Sequence, residues 1–225
     1  MTHLTAEARQ VCDEAGFIAA NTRLLPVPLV PEIRLHVAHE AVPIWQRTEE
    51  ELGEIGLPPP FWAFAWAGGQ ALARYVLDTP ETVRGRHVLD LASGSGLVAI
   101  AAARAGAASV LAADIDAFAV AAIRLNAAAN AVTVTATGAD LLGSPPPACD
   151  TVLVGDLFYE RELAGRVLKF LDAAHEQGSL VLIGDPGRSY LPKARLEQIA
   201  EYCVPQTREL EDAETKHTTV WRLLR

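Results

Sequence analysis

The chain has 225 residues, of which 50% are hydrophobic, and its 28 acidic residues outnumber its 19 Lys and Arg residues, giving a formal net charge of -9. This length suffices for one α/β domain with a short extension but is short for two independent catalytic domains. The negative charge opposes the phosphate backbone of nucleic acids, so the composition favours a basic partner over DNA or RNA. The same mild acidity could also serve solubility alone.

The hydrophobic residues are spread along the chain and do not collect in the ~20 strongly apolar residues that a membrane helix needs. Charged residues at positions 7–14 come before any apolar run, unlike a secretory signal or an acid-poor transit peptide. We therefore expect a soluble, cytoplasmic protein without membrane contact, and favour a monomer. Cys12, Cys149 and Cys203 lie far apart without metal-ligand spacing, so no metal site is expected.

From about residue 86, short apolar runs alternate with helical stretches, a pattern typical of βα units and a mainly parallel sheet. The predicted strands are residues 87–91, 109–113, 132–137, 151–155 and 180–184. The predicted helices are residues 94–105, 117–130, 163–174 and a stretch near 193–202. Segments 206–210 and 217–224 have no crossover helix between them and should pair as an antiparallel hairpin. The sequence therefore predicts a seven-stranded, doubly wound Rossmann-like α/β sheet, mostly parallel with a C-terminal antiparallel hairpin.

The first 85 residues differ from this pattern. They contain a proline-marked segment, a possible strand at 33–37 and a charged helix at about 44–52, which the three prolines at 58–60 prevent from continuing. An aromatic block at 61–66 then leads into a helix that extends to about residue 77. We expect residues 1–85 to form an extension packed on the sheet, and residues 86–225 to form the core of one structural unit.

A glycine-rich loop ends the first core strand and opens a helix at residues 88–96. Glycine there lets a ligand approach the backbone and meet free helix N–H groups. The spacing Gly94-x-Gly96-x-x-Ala99 also satisfies much of the dinucleotide fingerprint. The loop therefore predicts a ligand site, but leaves both a nicotinamide cofactor and S-adenosylmethionine open.

Three carboxylates near the strand ends bear on that choice. Asp90 precedes the loop, where it would repel a pyrophosphate but attract the ammonium of a methionine moiety, directly or through water. Asp114 ends the second strand and could bind ribose hydroxyls in either cofactor class. Asp140 follows the third strand and could accept from an adenine amine, with Leu141 against the ring. Asp90 and Asp140 could instead simply cap a loop.

Three other polar residues have local interpretations. Asp116 is interpreted as the cap of the helix that begins at residue 117. Asn126 and Asn130 are spaced along one helical face, but we interpret them as helix-end and turn residues, not ligands.

These residues resemble the seven-β-strand methyltransferases, a likeness carried by the loop Asp90-x-Ala92-x-Gly94-x-Gly96, by Asp114 and by Asp140. Ala92 stands where the first loop glycine is usual, although alanine is still small. More specifically, the chain resembles the lysine methyltransferases that modify the β subunit of electron transfer flavoprotein. That likeness rests on the sequences at residues 30–35, 60–70, 155–159 and 185–188, and covers nearly the whole chain.

The resemblance implies S-adenosylmethionine as cofactor and a lysine side chain of a protein, the electron transfer flavoprotein β subunit, as acceptor. The cofactor-binding residues expected from it are Trp66, Asp90, Ala92, Ser93, Gly94, Gly96, Asp114, Ile115, Asp140, Leu141 and Gly155. Residues 155–159 should then form the methyl-transfer centre.

Methyl transfer from a sulfonium is an in-line displacement, so positioning of the nucleophile is the main task of the site. A lysine amine has an ordinary pKa of about 10.4 and must be neutral to attack. We expect Asp156 to orient the amine and help accept its proton, unless it is only a loop cap. Tyr159 and Phe158, with Trp62 and Trp66, could surround the cationic groups with π faces; core packing is the alternative for these aromatics.

Three other functions stay open at this point. Some members of the broader group are described as small-amine methyltransferases, which keeps a nicotinamide-like acceptor possible. A nicotinamide-dependent oxidoreductase would use the same glycine loop. A non-catalytic protein that binds S-adenosylmethionine is the third, and the Asp156-x-Phe158-Tyr159 motif weighs against it.

Overall fold

The computed structural model describes residues 13–38, 59–205 and 215–224. The described helices are α1 (Glu14–Asn21), α2 (Ala67–Asp78), α3 (Leu97–Arg104), α4 (Ala117–Ala129) and α5 (Arg161–Glu176). The strands are β1 (Arg23–Val27), β2 (Val30–Val37), β3 (His87–Leu91), β4 (Ser109–Ala113), β5 (Thr135–Thr137), β6 (Thr151–Gly155), β7 (Leu180–Asp185), β8 (Leu196–Pro205) and β9 (Thr215–Leu223).

Strands β3 to β9 form one seven-stranded sheet in the order β5-β4-β3-β6-β7-β9-β8. The first five strands of that order are parallel, and β9 runs antiparallel to both β7 and β8. The predicted Rossmann-like sheet with a C-terminal antiparallel hairpin is thus confirmed. The strand order reverses between β3 and β6, and ligands of such sheets bind beyond the carboxyl ends of the strands at this switch point.

The inner parallel strands β3, β6 and β7 are buried on both faces, as expected where helices cover both sides of a sheet. On one face, Val88 and Leu153 join a core with residues of α2 and α3. On the other face, Leu89 and Val152 pack with the apolar side of α5, including Phe170. Consecutive residues of a strand therefore serve opposite cores, which fixes the register of each strand.

The β-strands predicted at 87–91, 109–113 and 151–155 have the predicted bounds. The first core helix is shorter than predicted, since it begins at Leu97 and not at residue 94. The reason is that Gly94 and Gly96 have φ values of 54° and 83°, outside the helical region. The third core strand, predicted from residue 132, is only Thr135–Thr137.

The helix predicted near 193–202 is wrong. Only Lys193–Arg195 forms a 3-10 turn, and the segment after it is strand β8. Its pairing with β9 shifts register between Gln198 and Ala200, so apolar residues there do not alternate as in a regular strand and imitate helical spacing. The hairpin itself is confirmed, but its first strand is 196–205; the predicted segment 206–210 lies outside the described residues.

The N-terminal region forms an antiparallel hairpin of β1 and β2, so the predicted strand at 33–37 is part of β2; the helix predicted at 44–52 lies outside the described residues. Two asparagines, one in α4 and one at its C-terminal cap, attach this hairpin to the core. Asn126 accepts from the His36 N–H at 2.7 Å, and Asn130 accepts from the Arg34 N–H at 3.0 Å. Their side chains hold the backbone of β2, a role that their interpretation as helix-end and turn residues did not include.

Candidate active site

A cavity of ≈ 490 Å³ opens beyond the carboxyl ends of β3, β4 and β6, where the strand order reverses. Its volume lies in the range of small-molecule sites. The predicted site residues that line it are Trp66, Ala92, Gly94, Asp114, Ile115, Asp140, Leu141, Gly155, Asp156 and Tyr159. The structure therefore brings together most of the residues selected from the sequence, from five separate stretches of the chain.

Four predicted residues are not part of the cavity lining. Asp90, Ser93 and Gly96 lie in and beneath the glycine loop, and Phe158 is a fully buried member of the core beside α5. The two residues are adjacent in the loop after β6, but Tyr159 is half-exposed and Phe158 is fully buried. Of the two aromatic residues predicted at the methyl-transfer centre, Tyr159 is the one placed to meet a ligand.

Asp90 lies at the base of the loop and is 2% exposed. Its Oδ2 accepts hydrogen bonds from the Ser93 hydroxyl and from the Ala99 N–H. Burial raises the pKa of Asp90 to about 7, against the lowering effect of these two donors. The carboxyl thus fixes the loop to the first turn of α3; its contact with a methionine ammonium stays a prediction.

Asp114 lines the cavity directly after β4, and its side chain connects the glycine loop to the loop that precedes α4. Its Oδ2 accepts from the Gly94 N–H at 2.9 Å, and its Oδ1 accepts from the Asp116 N–H at 3.0 Å. Burial raises the pKa of Asp114, opposed by these backbone donors. Asp116 itself accepts from the Phe118 N–H at the start of α4, so its predicted capping role is confirmed.

Replacing Asp114 with alanine should weaken S-adenosylmethionine binding by at least about 10-fold, because each lost hydrogen bond to a charged group is worth about 1.5–3 kcal/mol. Isothermal calorimetry on the variant and the parent measures the change. Asp114→Asn retains one acceptor oxygen and is the matched control, with an intermediate loss. Unchanged affinity in the folded alanine variant would contradict the ribose assignment.

Ala92 has a φ of 53°, in the left-handed region that costs a non-glycine residue about 1–2 kcal/mol. This is the position where the resembled family usually has glycine, and the backbone has kept the conformation that suits glycine. The departure from the motif therefore adds local strain next to the cavity.

Replacing Ala92 with glycine should raise the free energy of unfolding by about 0.5 kcal/mol, because relief of the strain exceeds the extra entropy of glycine in the unfolded chain. Urea denaturation measures it. Ala131 has a φ of 54° far from the cavity, so Ala131→Gly is the matched control and should gain a similar amount. A loss of stability in both variants would refute the strain argument.

Asp140 and Leu141 follow β5 and line the cavity. The Asp140 carboxylate accepts from the Leu142 N–H at 3.0 Å and pairs with Arg166 at 2.7 Å. The Arg166 guanidinium lowers the pKa of Asp140. The loop-capping interpretation of Asp140 therefore describes a real contact, while its contact with an adenine amine stays a prediction.

Asp156 is held on the acceptor side of the cavity by three contacts. Its N–H donates to the Gly184 carbonyl at 3.0 Å, its Oδ2 accepts from the Gly69 N–H at 2.8 Å, and its Oδ1 accepts from Arg188 Nη2 at 2.8 Å. The side chain is only 9% exposed, and burial raises the pKa of Asp156 to about 6, against the charge of Arg188 and the Gly69 donor. Its φ of 58° is rare for a non-glycine residue. Such strain is typical of functional sites.

The Gly69 contact depends on the close approach of α2 to the sheet. A side chain at Gly68 would meet the Gly184 carbonyl oxygen at 2.2 Å, and one at Gly184 would meet the Gly68 carbonyl oxygen at 2.1 Å. Two facing glycines thus allow the first turn of α2 to rest on the ends of β6 and β7. One of the free N–H groups of that turn, that of Gly69, then donates to Asp156.

Aromatic rings border the mouth of the cavity above Asp156. Trp66 Nε1 donates to the Phe61 carbonyl at 2.8 Å, and the Phe61 ring lies 6.2 Å from both the Trp66 and Tyr159 rings. Trp62 is 2% exposed and stacks on Phe118, consistent with its core-packing interpretation. Trp62 nevertheless also lines the cavity, together with the part-buried Trp66 and the half-exposed Phe61 and Tyr159. Phe61 was in the quoted block but had no predicted role.

Arg188 was missed by sequence reasoning as a site residue. It stands in the quoted stretch 185–188, but no local pattern indicates that its side chain reaches Asp156, 32 residues earlier in the chain. Its guanidinium also lies 6.0 Å from the centre of the Trp66 ring. The only available signal was the presence of an arginine in a segment that follows a strand at the open edge of the sheet.

Residues 70–151 match the family model of ribosomal protein L11 methyltransferase (PrmA). The chain is also similar to the electron transfer flavoprotein β-subunit lysine methyltransferase of Xenopus laevis, with 40% identity over 212 residues, 92% of this chain and 85% of that protein. The chain belongs to this lysine methyltransferase family. The Homo sapiens protein of the same name is 35% identical over 213 residues, 92% of this chain and 80% of the relative.

Solved structures agree on the fold. Ribosomal protein L11 methylase from Lactobacillus delbrueckii subsp. bulgaricus has a TM-score of 0.52 and 22% identity, covering 72% of this chain and 81% of that one. Magnesium protoporphyrin IX methyltransferase from Synechocystis PCC 6803, solved with bound S-adenosylmethionine, has a TM-score of 0.53 and 17% identity, covering 70% and 80%. Together with family membership, these findings confirm the prediction of an S-adenosylmethionine-dependent protein-lysine methyltransferase over a nicotinamide oxidoreductase.

Proposed function

We propose that this protein transfers a methyl group from S-adenosylmethionine to a lysine side chain of the β subunit of electron transfer flavoprotein. The observation that carries the proposal is the position of Asp156, which lines the same cavity as Gly94 and Asp114. The named relatives of the family supply the identity of the substrate.

The cavity fits the cofactor in shape and chemistry. Gly94 has no side chain, and the space where one would project is open, with no atom within 4 Å. A ligand can therefore approach the loop backbone closely. Asp114 offers a carboxylate to hydroxyl donors on this side, and Leu141 and Leu142 offer apolar surface for a flat ring.

S-adenosylmethionine supplies an electrophilic methyl group attached to a positively charged sulfur. The lysine ammonium would first lose its proton, to water or to Asp156, and the neutral nitrogen would then form the N–C bond as the S–C bond breaks and S-adenosylhomocysteine leaves. Asp156 can accept a hydrogen bond from the amine and orient its lone pair along the line of transfer. Trp66, Phe61 and Tyr159 border the path to Asp156, where their π faces suit the aliphatic stem and cationic tip of lysine.

The charge of the chain supports a protein partner with a basic surface. A net charge of -9 attracts a lysine-rich surface and accelerates its encounter at low salt. It also disfavours nucleic acid as substrate. Among the described residues, no helix is long and apolar enough to cross a membrane. The cytoplasmic location and the monomeric state stay predictions from the sequence.

The test is to incubate the enzyme with purified electron transfer flavoprotein and, in parallel, with nicotinamide, and to measure methyl incorporation by mass spectrometry at increasing salt. We expect mass gain on a flavoprotein lysine, at a rate that falls with salt, and none on nicotinamide. Methylated nicotinamide with an unmodified flavoprotein would favour the small-amine alternative. S-adenosylmethionine binding without a methylated product of either kind would favour a non-catalytic binding protein.

A further inference from the structure

Arg188 connects the acceptor carboxylate to the loop that follows β7. Its Nη2 donates to Asp156 Oδ1 at 2.8 Å, and its side chain is 21% exposed. The guanidinium also lies 6.0 Å from the centre of the Trp66 ring. Arg188 thus contacts both the carboxylate and the aromatic border of the cavity, and it lines the cavity itself.

The loop is built to hold the backbone of Arg188 in place. Asp185 Oδ1 accepts from the N–H groups of both Gly187 and Arg188 at 2.7 Å. The Tyr190 N–H donates to the Phe158 carbonyl at 3.2 Å, which joins this loop to the loop that carries Asp156. The two loops therefore position Arg188 and Asp156 relative to each other.

Two buried polar atoms without a hydrogen-bond partner indicate which carboxylate the Arg188 guanidinium serves. Asp185 Oδ2 and Arg188 Nε are both buried and, among the described residues, have no hydrogen-bond partner. If Arg188 served only to neutralise the charge of Asp185 in its own loop, it would be expected to donate a hydrogen bond to Asp185 Oδ2. Instead the guanidinium reaches across to the carboxylate of the other loop and leaves this acceptor without a partner. Unsatisfied buried groups of this kind are rare and costly.

We propose that Arg188 is a positioning residue, which holds Asp156 as a carboxylate aimed at the acceptor amine. This inference rests on the proposed function of the site. Arg188 does not touch the reacting atoms in this role; it acts through Asp156. Arg188 donates to Oδ1 and the Gly69 N–H donates to Oδ2, so the carboxylate is fixed and its remaining lone pairs are the ones available to an amine.

The electrostatics around Asp156 agree with this role. Burial raises the pKa of Asp156, the nearby Asp185 carboxylate raises it further, and the charge of Arg188 is the first of the opposing effects, followed by the Gly69 N–H. Burial raises the pKa of Tyr159, and so do the charges of Glu160 and Asp114, whereas the charge of Arg188 lowers it. Without the guanidinium, two buried carboxyls would lie near each other with no cation from the described residues paired to Asp156, and its neutral form would be favoured.

The decisive measurement is the titration of the Asp156 carboxyl itself by ¹³C NMR, with the resonance assigned by its absence in Asp156→Asn. In Arg188→Met, we expect the titration midpoint to rise by about one pH unit or more, a 10-fold change in proton affinity. Arg188→Lys should keep the midpoint within about half a unit of the parent, because the charge is retained. Arg161→Met removes a cation that lies over Tyr190 and is the matched control, with no expected shift.

The methylation rate gives the second readout. The acid limb of kcat/KM should move to higher pH in Arg188→Met and not in Arg161→Met, whereas a merely structural role would lower the rate without moving the limb. An unchanged Asp156 midpoint in a folded Arg188→Met protein would overturn the proposal. If that variant fails to fold, the same titration is measured in Arg188→Gln, which removes the positive charge, and in Arg188→Lys, which keeps it. A parent enzyme that methylates no flavoprotein lysine would refute the proposed function, while the NMR midpoint would still decide the role of Arg188.

Discussion

Replacing Asp156 with asparagine should lower turnover by on the order of 10²-fold or more, the contribution of a positioned proton acceptor. Asparagine is the sharper substitution because it tolerates the left-handed conformation of this residue, where alanine would add strain. It also keeps an oxygen for the Gly69 N–H. What it removes is the negative charge and the basicity of the group that faces the amine.

Cofactor binding should change much less than turnover in this variant. The predicted cofactor-binding residues include the glycine loop and Asp114, whereas Asp156 is bonded to α2 and to the loop after β7. Single-turnover rates from mass spectrometry and affinities from calorimetry measure the two effects separately. Near-normal turnover would mean that Asp156 only shapes the turn after β6.

The pH dependence of the parent follows from the same group. Because the pKa of Asp156 is raised to about 6, its carboxylate is lost as the pH falls through 6, and kcat/KM should fall with it. The raised pKa of Asp156 affects the free energy of unfolding in the opposite direction, since it favours stability at low pH. The native state binds a proton more tightly than the unfolded chain does, so this residue stabilises the fold below its unfolded pKa and the contribution declines as pH rises towards 6.

The sheet could be predicted from the sequence because its signals are local. Each buried parallel strand is a short apolar run, and an acidic residue follows β4 and β6 at the open edge of the sheet. Most of the predicted cofactor-binding residues lie in the glycine loop after β3 or directly after β4. Strand β8 was mistaken for a helix because its bulge between Gln198 and Ala200 breaks the period of two on which strand prediction depends.

The acceptor side could not be predicted to the same degree because its contacts are distant in sequence. Gly69 and Asp156 are 87 residues apart, and Arg188 lies 32 residues beyond Asp156. The Asp156-x-Phe158-Tyr159 motif also does not indicate which of its two adjacent aromatic residues is buried. Phe158 packs on the core and Tyr159 faces the cavity because the chain turns at Asp156, whose positive φ no local pattern encodes.

Replacing Gly68 with alanine should destabilise the protein by about 3 kcal/mol or more and lower turnover by on the order of 10²-fold. The added methyl group would lie 2.2 Å from the Gly184 carbonyl oxygen and 2.6 Å from Asp156 Oδ2. The Gly184 oxygen is a backbone atom of a central strand and cannot turn aside, so α2 must move away from the sheet. A shift of about 1 Å would break the Gly69 contact and misplace the carboxylate.

The neighbouring glycine provides the matched control. An alanine side chain at Gly69 would meet only Leu97 Cδ2 at 3.9 Å and Val98 Cγ2 at 4.0 Å, which are ordinary van der Waals contacts. Gly69→Ala retains the N–H that donates to Asp156 and gains helix propensity, worth up to about 1 kcal/mol. Urea denaturation and turnover should therefore separate two variants that differ only in which residue of one helical turn carries a methyl group. Equal behaviour of the two would mean that the close approach of α2 to β7 does not set the position of Asp156, because the methyl group at residue 68 would then have been accommodated without displacing the helix.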